Sequence, residues 1–360
     1  MKIAFLGDIA FLGNYDKSSA QGVEKKLQYL KEHLAGYDCV IANLESPLTG
    51  RNASLVCKSM HLKADPCNVE LLKYLGVTAV SLANNHIADY GVAGLSDTIR
   101  ILDQVGIAWF GVGEKDWIFE QKDQKIAVSG YCCYSANGTH YGGKRGINPL
   151  TFETLKKQLE RDKDRNAFSV FALHWGLEHT NYPAPEHVRV IRTLLDGRSA
   201  VVCGHHPHII QSMEKYQNSL IAYSLGNAVF DRCISKNKRV VVELNENNRI
   251  GFILGVEIQN DQIVGYQTDG FYIKNSGIEA YDIEPYLKHI SEQFSHEIEN
   301  SKHYKELRKE QFDKVIADKF GKHDLKWLCS RLNYYAIGAR IAGTLRNRKY
   351  RKEMGKFIHE

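Results

Sequence analysis

The sequence predicts a layered α/β domain that is completed by a second sheet and followed by a basic helical extension. Three observations predict this fold class. Short β-branched runs alternate with amphipathic stretches over the first 205 residues, strand-like runs follow one another from 220 to 272, and a charged helical pattern begins near residue 284. We therefore predict one domain at residues 1–280 and an extension at residues 281–360.

The alternating region contains six strand candidates and five helical patterns. The strand candidates are Lys2–Gly7, Cys39–Asn43, Ala79–Leu82, Lys125–Gly130, Phe168–Leu173 and Ala200–Cys203. The helical patterns lie between them, at Val23–Leu34, Val69–Leu75, Leu95–Val105, Phe152–Leu159 and His187–Leu195. Alternation at this spacing is typical of a layered α/β architecture.

The helical patterns stop after residue 219. Four strand candidates then follow one another with short polar turns between them: Leu220–Ser224, Arg239–Leu244, Phe252–Ile258 and Gln262–Tyr272. This run predicts an antiparallel second sheet that completes the same domain.

The C-terminal segment 322–360 carries most of the positive charge. It holds ten Lys and Arg against three Asp and Glu, a net charge of +7 in a chain whose total is +5, so the other 321 residues sum to −2. Within it, Asp324–Arg346 places apolar residues at three- and four-residue steps, which predicts an amphipathic helix. We expect this helix to pack on the domain or on a second subunit. The alternative is a peripheral contact with an anionic membrane surface.

Composition and targeting signals predict a cytoplasmic protein. The N-terminus lacks the apolar run and cleavage site of a secretion signal, and no apolar run approaches the ~20 residues that span a bilayer. The eight cysteines form no CxxC pair, so we expect free thiols in a reducing compartment. A tail bound to lipid would place the protein at the inner membrane face. We expect no nucleic-acid partner, and the oligomeric state stays open, a homo-oligomer included.

Residues that can bind metal stand where five predicted strands end. Ligands in open α/β sheets bind beyond the carboxyl ends of the strands, so these ends should meet at one rim. A pair of divalent ions ~3.5–4 Å apart needs a bridging carboxylate together with imidazoles and oxygen donors. Singly, each residue has a structural explanation as a turn, a cap or a core histidine, but their convergence favours a metal centre. The candidate ligands are Asp8, Glu45, Asn85, His174, His206 and His208.

Six short motifs also follow one another along about residues 1–235. They are Gly7-Asp8, Asn43-Leu44-Glu45, Ala83-Asn84-Asn85-His86 with Asp89 and Gly91, His174-Trp175-Gly176 with Glu178, Gly204-His205-His206-Pro207-His208, and Ser224-Leu225-Gly226-Asn227 with Phe230-Asp231. Together they resemble the motif series of CapA-type proteins, a divergent branch of the calcineurin-like metallophosphoesterases. The resemblance implies a sandwich of two β-sheets flanked by helices.

The resemblance also implies one or two divalent metal ions, of Mn, Fe or Zn, that share a bridging carboxylate. The wider superfamily has Asp-x-His in its first motif, whereas this chain has Asp8-Ile9-Ala10. The first ion therefore lacks an expected imidazole and should be weakly held or absent. The implied ligands are Asp8, Glu45 and His208 for the first ion, and Glu45, Asn85, His174 and His206 for the second.

Other positions receive implied roles around the ions. His86 would be the general acid that protonates the leaving oxygen. Lys58 and Lys63 resemble basic positions that receive an anionic substrate group, and a solvated basic loop explains them equally well. Residues that would orient the imidazoles are Glu178, Asn227 and Asp231.

We predict from these features a metal-dependent hydrolase, a phosphoesterase, that acts in the biosynthesis of a cell-surface polymer such as a capsule, poly-γ-glutamate or a polysaccharide. Its expected substrate is an anionic small molecule or polymer. Two alternatives stay open. One is a metal-dependent amide hydrolase or transpeptidase acting on a γ-glutamyl polymer. The other is a non-catalytic component of polymer assembly or export.

Overall fold

The structure, a computed structural model, describes most of the first 320 residues and a few residues of the tail. The gaps in the first part are at 55, 57, 59, 134–139, 236–240, 293, 295–297 and 299–300, and side chains are not described at 315–316 and 318–320. In the tail the described residues are 332, 337–338, 340–345 and 348.

The described elements are sixteen strands, eight α-helices and three short 3₁₀-helices. The strands are β1 (Lys2–Ile9), β2 (Cys39–Leu44), β3 (Ala79–Ser81), β4 (Ala108–Phe110), β5 (Trp117–Gln121), β6 (Gln124–Cys132), β7 (Phe168–His174), β8 (Ala200–His205), β9 (Met213–Tyr216), β10 (Ser219–Ala222), β11 (Asn227–Val229), β12 (Cys233–Ile234), β13 (Val241–Val242), β14 (Ile250–Gln259), β15 (Gln262–Lys274) and β16 (Gly277–Ala280). The helices are α1 (Val23–Lys26), α2 (Gln28–Leu34), α3 (Val69–Leu75), α4 (Gly91–Val105), α5 (Phe152–Asp164), α6 (Pro185–Leu195), α7 (Glu284–Glu292) and α8 (Lys302–Phe320).

Two main sheets pack face to face between layers of helices. The first sheet has the order β16-β15-β14-β1-β2-β3-β4, with β11 also paired to β1, and the second has the order β5-β6-β7-β8-β10-β9. Strands β1 to β4 are mutually parallel, as are β6, β7, β8 and β10. The predicted fold class, a two-sheet α/β sandwich with outer helices, is confirmed.

Alternating side chains explain why the layers stack. In β1, Ile3 and Phe5 lie in the apolar core between the sheets, whereas Ala4 and Leu6 lie in the core beneath the helices on the outer face. Successive side chains of a strand point to opposite faces, so a strand that is apolar throughout is buried on both. The outer face of the second sheet is covered in the same way, where Phe171 packs with residues of α5 and α6.

The prediction of a separate antiparallel sheet after residue 219 is wrong. Strands β14, β15 and β16 are antiparallel, but they extend the first sheet because β14 pairs with β1, with Ile3 opposite Val256. The first strand after residue 218, β10, joins the second sheet instead, where Leu220 pairs in parallel with Val201. Local alternation shows that a strand is half-buried, but it does not show which distant strand edge is open for pairing.

The helices that follow residue 280 pack on the sandwich. Ile290 of α7 is buried in the core between the sheets, and the Tyr304 hydroxyl of α8 donates to the Pro183 carbonyl at 2.8 Å. The boundary at 280 stays a prediction. The predicted helix Asp324–Arg346 lies largely outside the described residues, as does the tail segment 322–360 proposed to contact lipid. Among the described residues, no helix is long and apolar enough to cross a membrane.

Candidate metal centre

The carboxyl ends of the parallel strands in both sheets meet at one rim. In the first sheet, Asp8 of β1 lies opposite Asn43 of β2 and Asn227 of β11. In the second sheet, His174 of β7 pairs with His205 of β8. The first sheet therefore brings carboxylate and amide oxygens to the rim, and the second sheet brings imidazole nitrogens.

Two groups of donors at this rim are arranged closely enough to hold metal ions, and they share Glu45. One group is Glu45, His174 and His206, and the other is Asp8, Glu45 and His208; within each group the donor atoms lie within 4.8 Å of one another. Glu45 Oε1 lies 3.9 Å from His174 Nε2 and 3.6 Å from His208 Nε2. A carboxylate between two donor groups has the position that a bridging ligand requires.

The Glu45 side chain is fully buried, and its carboxylate stands without a hydrogen bond in the described part of the chain. Neither carboxylate oxygen accepts a hydrogen bond from any residue that the structure describes. Burial raises the pKa of Glu45 to about 8, and the nearby Asp8 carboxylate adds to the rise. Burying an unpaired carboxylate is costly, and a cation between the donors would remove that cost. The residues present thus fit a divalent metal ion.

The imidazoles of the first group are neutral. Burial lowers the pKa of His206 to about 4, and burial together with the neighbouring His206 lowers the pKa of His174 well below its usual value. His206 Nδ1 has no hydrogen-bond partner among the described residues, and His174 Nε2 lies 2.9 Å from Asn85 Oδ1. Metal binding needs an unprotonated ring nitrogen, so both rings are in the form that binds.

The loop after β8 adopts unusual backbone conformations to present its histidines. His206 has a φ of 95° and His208 a φ of 57°, values that non-glycine residues adopt infrequently and that occur at functional sites. The His206 backbone N–H donates to Asp8 Oδ2 at 3.2 Å. Two imidazoles also lie beside the Asp8 carboxylate: His205 Nδ1, at the end of β8, is 3.2 Å from Asp8 Oδ1, and His208 Nδ1 is 3.4 Å from Asp8 Oδ2.

Asn227 fixes the orientation of His208. Its Oδ1 lies 3.0 Å from His208 Nδ1, and the Asn227 and Asn248 side-chain amides donate to the His208 carbonyl. When His208 Nδ1–H donates to Asn227, His208 Nε2 is left free to face Glu45. Burial opposes protonation of His208, but the charges of Glu45 and Asp8 raise its pKa.

Two asparagines complete the rim and were missed as site residues in the sequence. Asn43 Nδ2 donates to Asp8 Oδ1 at 2.8 Å. Asn84 Nδ2 donates to the Leu44 carbonyl at 2.8 Å, and its Oδ1 accepts from the backbone N–H groups of His86 and Ile87. The signal that could have found them is a buried amide at the end of an otherwise apolar strand, because such an amide must be hydrogen-bonded.

A second buried cluster, made of Lys58, His86 and Asp89, lies beside the candidate ligands. His86 Nδ1 lies 2.6 Å from Asp89 Oδ2, and Lys58 Nζ donates to Asp89 Oδ1 and to the Asn85 carbonyl, both at 2.7 Å. Burial and the Lys58 charge lower the pKa of His86. Burial opposes ionisation of Asp89, yet Lys58 and His86 lower its pKa. We call these three residues the Asp89 cluster.

The structure separates the two lysines predicted to bind substrate. Lys58 is buried, and its ammonium is engaged by Asp89 and the Asn85 carbonyl. Lys63 donates to the Arg51 carbonyl and to Asn52 Oδ1 on the surface, away from these groups. Substrate binding by either lysine stays a prediction.

The residues predicted to orient the imidazoles also differ in their contacts. Asn227 contacts His208 directly, as described above. Glu178 contributes through its charge, which partly opposes the burial that lowers the pKa of His206 and adds to the charges that raise the pKa of His208. Asp231 accepts hydrogen bonds from the backbone and side chain of Asn14, so its described contacts hold the turn after β1.

Comparisons with known proteins place this rim in context. A family model described as "Bacterial capsule synthesis protein PGA_cap" matches residues 2–232. The capsule biosynthesis protein CapA of Bacillus anthracis is 29% identical over 257 residues, which cover 66% of this chain and 62% of that protein. The PGA biosynthesis protein CapA of Bacillus subtilis is 31% identical over 243 residues, which cover 64% of each chain.

The chain therefore spans a little under two thirds of the length of these curated relatives. Among solved structures, a 5'-nucleotidase precursor from Thermus thermophilus superposes with a TM-score of 0.46 and 11% sequence identity. The superposition covers 88% of this chain and 59% of the other.

Proposed function

The chain belongs to the family of bacterial capsule synthesis proteins, PGA_cap, and from that premise we propose that it is a metal-dependent hydrolase. Membership confirms the resemblance that its motifs predict. The proposed substrate bond is a phosphoester, and the proposed setting is the biosynthesis of a cell-surface polymer.

One observation carries the proposal. Glu45 is buried between two groups of candidate ligands, and neither of its oxygens has a hydrogen-bond partner among the described residues. Buried polar groups in folded proteins are nearly always satisfied, so Glu45 can be ionised beside the neutral imidazoles of His174 and His206 at low cost only with a cation between the donors. A divalent ion, when bound, lowers the pKa of water and offsets the negative charge that develops on a phosphoryl group.

The ligand roles that we propose follow the two donor groups. One ion would be held by Glu45, Asn85, His174 and His206. A second would be held by Asp8, Glu45 and His208, and the oxygen ligands of this set suit Mn, Fe and Zn. Asn227 and Asn43 would keep His208 and Asp8 in place through the hydrogen bonds described above.

His86 is the residue that we propose as general acid. Its Nδ1 faces Asp89 Oδ2 at 2.6 Å, so a proton for the leaving oxygen would be carried on Nε2. Lys58 Nζ lies 3.1 Å from His86 Nδ1, and its positive charge lowers the pKa of the ring, which makes protonated His86 a stronger acid. His86 would thus protonate the leaving group while Asp89 holds the ring.

The test combines metal analysis with an activity panel on the purified full chain. We expect bound Mn, Fe or Zn, and turnover of phosphomonoesters or phosphodiesters. His206→Ala should lose metal and turnover together. His86→Ala should keep its metal and lower turnover by about 10²–10⁴-fold, the usual contribution of a general acid. The matched control is His33→Ala, which removes an exposed histidine of α2 and should change neither readout.

Three outcomes would reject or redirect the proposal. A protein that neither contains nor takes up metal would contradict the metal centre. Hydrolysis of γ-glutamyl amides with no phosphoesterase activity would favour the amide hydrolase, with the same ligands acting on a different bond. Metal binding without turnover of any substrate in the panel would favour a non-catalytic role in polymer assembly.

A further inference from the structure

A groove of about 630 Å³ runs along α4 on the outer flank of the first sheet. It lies outside the two donor groups and shares no lining residue with them. One side is the face of α4, and the other is formed by β4 and the loop that contains residues 144 and 145. The lining residues that matter here are Arg100, Asp103, Trp109, Lys144 and Arg145, with Val92, Leu95 and Ile99 as the apolar wall.

The groove is positively charged in a part of the chain that is otherwise close to neutral. Its lining holds three cations, Arg100, Lys144 and Arg145, and one carboxylate, Asp103. The carboxylate is already engaged, because Asp103 Oδ1 accepts a hydrogen bond from Trp109 Nε1 at 2.9 Å. Arg100 Nη2 lies 4.0 Å from Asp97 Oδ1, whereas in the described part of the chain neither Lys144 nor Arg145 forms an ion pair. A lining with a net charge of +2 contrasts with the −2 carried by the first 321 residues together.

The groove is also preformed. The loop that carries the two cations pairs with the chain after β4 through a bridge between Val112 and Ile147, and the Gly113 N–H donates to the Gly146 carbonyl at 2.9 Å. The Trp109 ring is held between its bond to Asp103 and the Lys115 ammonium, which lies 3.6 Å from the ring centroid. A loop backbone and an aromatic ring that are fixed in advance lose little freedom on binding, so that the exposed side chains of Arg100, Lys144 and Arg145 are the groups that a ligand would order.

The groove begins next to the candidate metal centre. The chain that leaves β4 packs against the end of β3, since a Cβ at Gly111 would lie only 2.6 Å from the Ala83 Cβ. Ala83 is two residues before Asn85, and Val112 is the residue after Gly111. The helix that forms the other wall, α4, begins at Gly91, five residues after His86. A chain lying in the groove would therefore lead toward the rim.

We propose that this groove binds a stretch of a polycarboxylate polymer. Its carboxylates would pair with Arg100, Lys144 and Arg145, and its methylene groups would lie on Trp109 and the aliphatic side of α4. The combination of spaced cations with an apolar wall favours an acidic chain with aliphatic spacers over a small free phosphate. The inference rests on the proposed function for its biological setting, but binding in the groove needs neither metal nor turnover.

Fluorescence anisotropy of a labelled γ-glutamyl oligomer with the metal-free full chain tests the proposal. The groove variant is R100Q/K144Q/R145Q. The matched control is K156Q/K157Q/K163Q, which removes the same charge from exposed positions of α5. The basic tail is present in all three proteins, so its contribution is common to them. We expect the groove variant to bind at least about tenfold more weakly than the parent and the control to bind like the parent.

The other outcomes overturn the proposal. These are no binding by the parent, equal loss in both triple variants, and equally tight groove-dependent binding of single-stranded DNA of matched charge, which would indicate a general polyanion site. Metal content and turnover of a small phosphoester are measured on the same variants. If the groove variant keeps its metal content and its turnover but no longer binds the oligomer, the proposal for the groove is supported independently of the metal centre. If the parent takes up no metal and still binds the oligomer, only the proposed function is rejected.

Discussion

Two groups of buried charges lie side by side at the rim, and they differ in whether the protein satisfies them. In the Asp89 cluster, the Asp89 carboxylate receives the Lys58 ammonium, the His86 ring and the Leu62 backbone N–H, all within 2.7 Å. In the other group, the Glu45 carboxylate has no hydrogen bond from any described residue, and neither does His206 Nδ1.

This difference in hydrogen bonding distinguishes charges that stabilise the fold from charges that are suited to bind a ligand. In a buried ion pair whose oxygens all accept hydrogen bonds, the partners offset the free energy that is lost when the charges leave water. A buried carboxylate without partners is costly in the free protein and becomes favourable only when something binds to it. Lys58 and Asp89 therefore form a scaffold that positions His86 and Asn85, and the two donor groups that share Glu45 are the proposed binding site.

The largest stability effect should come from breaking the scaffold. Lys58→Met leaves Asp89 buried without its cation, and removal of one partner of a buried pair costs about 3–5 kcal/mol. We expect the free energy of unfolding, measured by denaturant titration, to fall by that amount. Lys63→Met in the same loop should cost at most about 1 kcal/mol, because the Lys63 ammonium donates to the Arg51 carbonyl and Asn52 Oδ1 on the surface and lies 5.7 Å from the centroid of the Tyr90 ring.

A double variant sharpens this result. K58M/D89N removes both charges, so it should recover part of the stability that Lys58→Met loses. If Lys58→Met were as stable as the parent, Lys58 would not be part of a buried scaffold. A lysine that instead receives substrate would leave stability unchanged and raise KM.

The next effect is the pH dependence that the unsatisfied carboxylate imposes on the metal-free protein. Burial raises the folded-state pKa of Glu45 from the usual 4.5 to about 8. The folded state thus keeps a proton that the unfolded chain has released, so the stability from Glu45 is full below pH 4.5 and is lost as the pH rises toward 8. Between about pH 5 and 6.5 this loss amounts to about 2 kcal/mol.

Glu45→Gln isolates that contribution. Other groups at the rim titrate in both proteins, so the comparison uses the difference in the free energy of unfolding between the variant and the parent, each in a chelator. This difference should grow by about 2 kcal/mol from about pH 5 to 6.5 in favour of the variant. A difference that stays flat over this range would mean that Glu45 has partners in solution.

The smallest effect should come from the residue that orients His208. Asn227→Ala removes the acceptor that holds His208 Nδ1, and loss of such a partner lowers metal affinity by about tenfold. Asp231→Asn is the matched control, because the described hydrogen bonds of the Asp231 carboxylate come from Asn14 and the Arg232 backbone N–H. Equal losses of Mn²⁺ affinity in the two variants would mean that the Asn227 contact has no special role.

Much of the rim could be predicted from the sequence because it depends on a local rule. Asp8, Glu45 and His174 each follow an apolar run, and the carboxyl ends of parallel strands share one edge. The same rule placed the loop His205–His208 there. No ligand had to be predicted from a long-range contact, since the sandwich brings both sheet edges together.

What could not be predicted depends on pairing between distant segments. The sequence around Lys58 predicts a loop, and a lysine in a loop is expected to be solvated. Its burial against Asp89 depends on a contact between residues 31 positions apart, which the neighbouring sequence does not indicate. The attachment of β14 to β1 is of the same kind, because Ile3 and Val256 meet only when the sheet is complete. Asn43 and Asn84 stand in the quoted motifs but received no role, because their partners, Asp8 and the Leu44 carbonyl, lie 35 and 40 residues away in the chain.

The central claim is that Glu45 is shared by two metal-binding groups. Its most direct test is a titration of the chelator-treated protein with Mn²⁺ and with Zn²⁺, in which calorimetry measures binding and thermal unfolding measures stability. The account predicts saturable binding that stabilises the parent, by about 2.7 kcal/mol when the free metal is about a hundredfold above Kd. Glu45→Gln should bind at least about a hundredfold more weakly, since it removes the carboxylate shared by both groups. A parent that binds neither metal, or a variant that binds both as tightly as the parent, would contradict it.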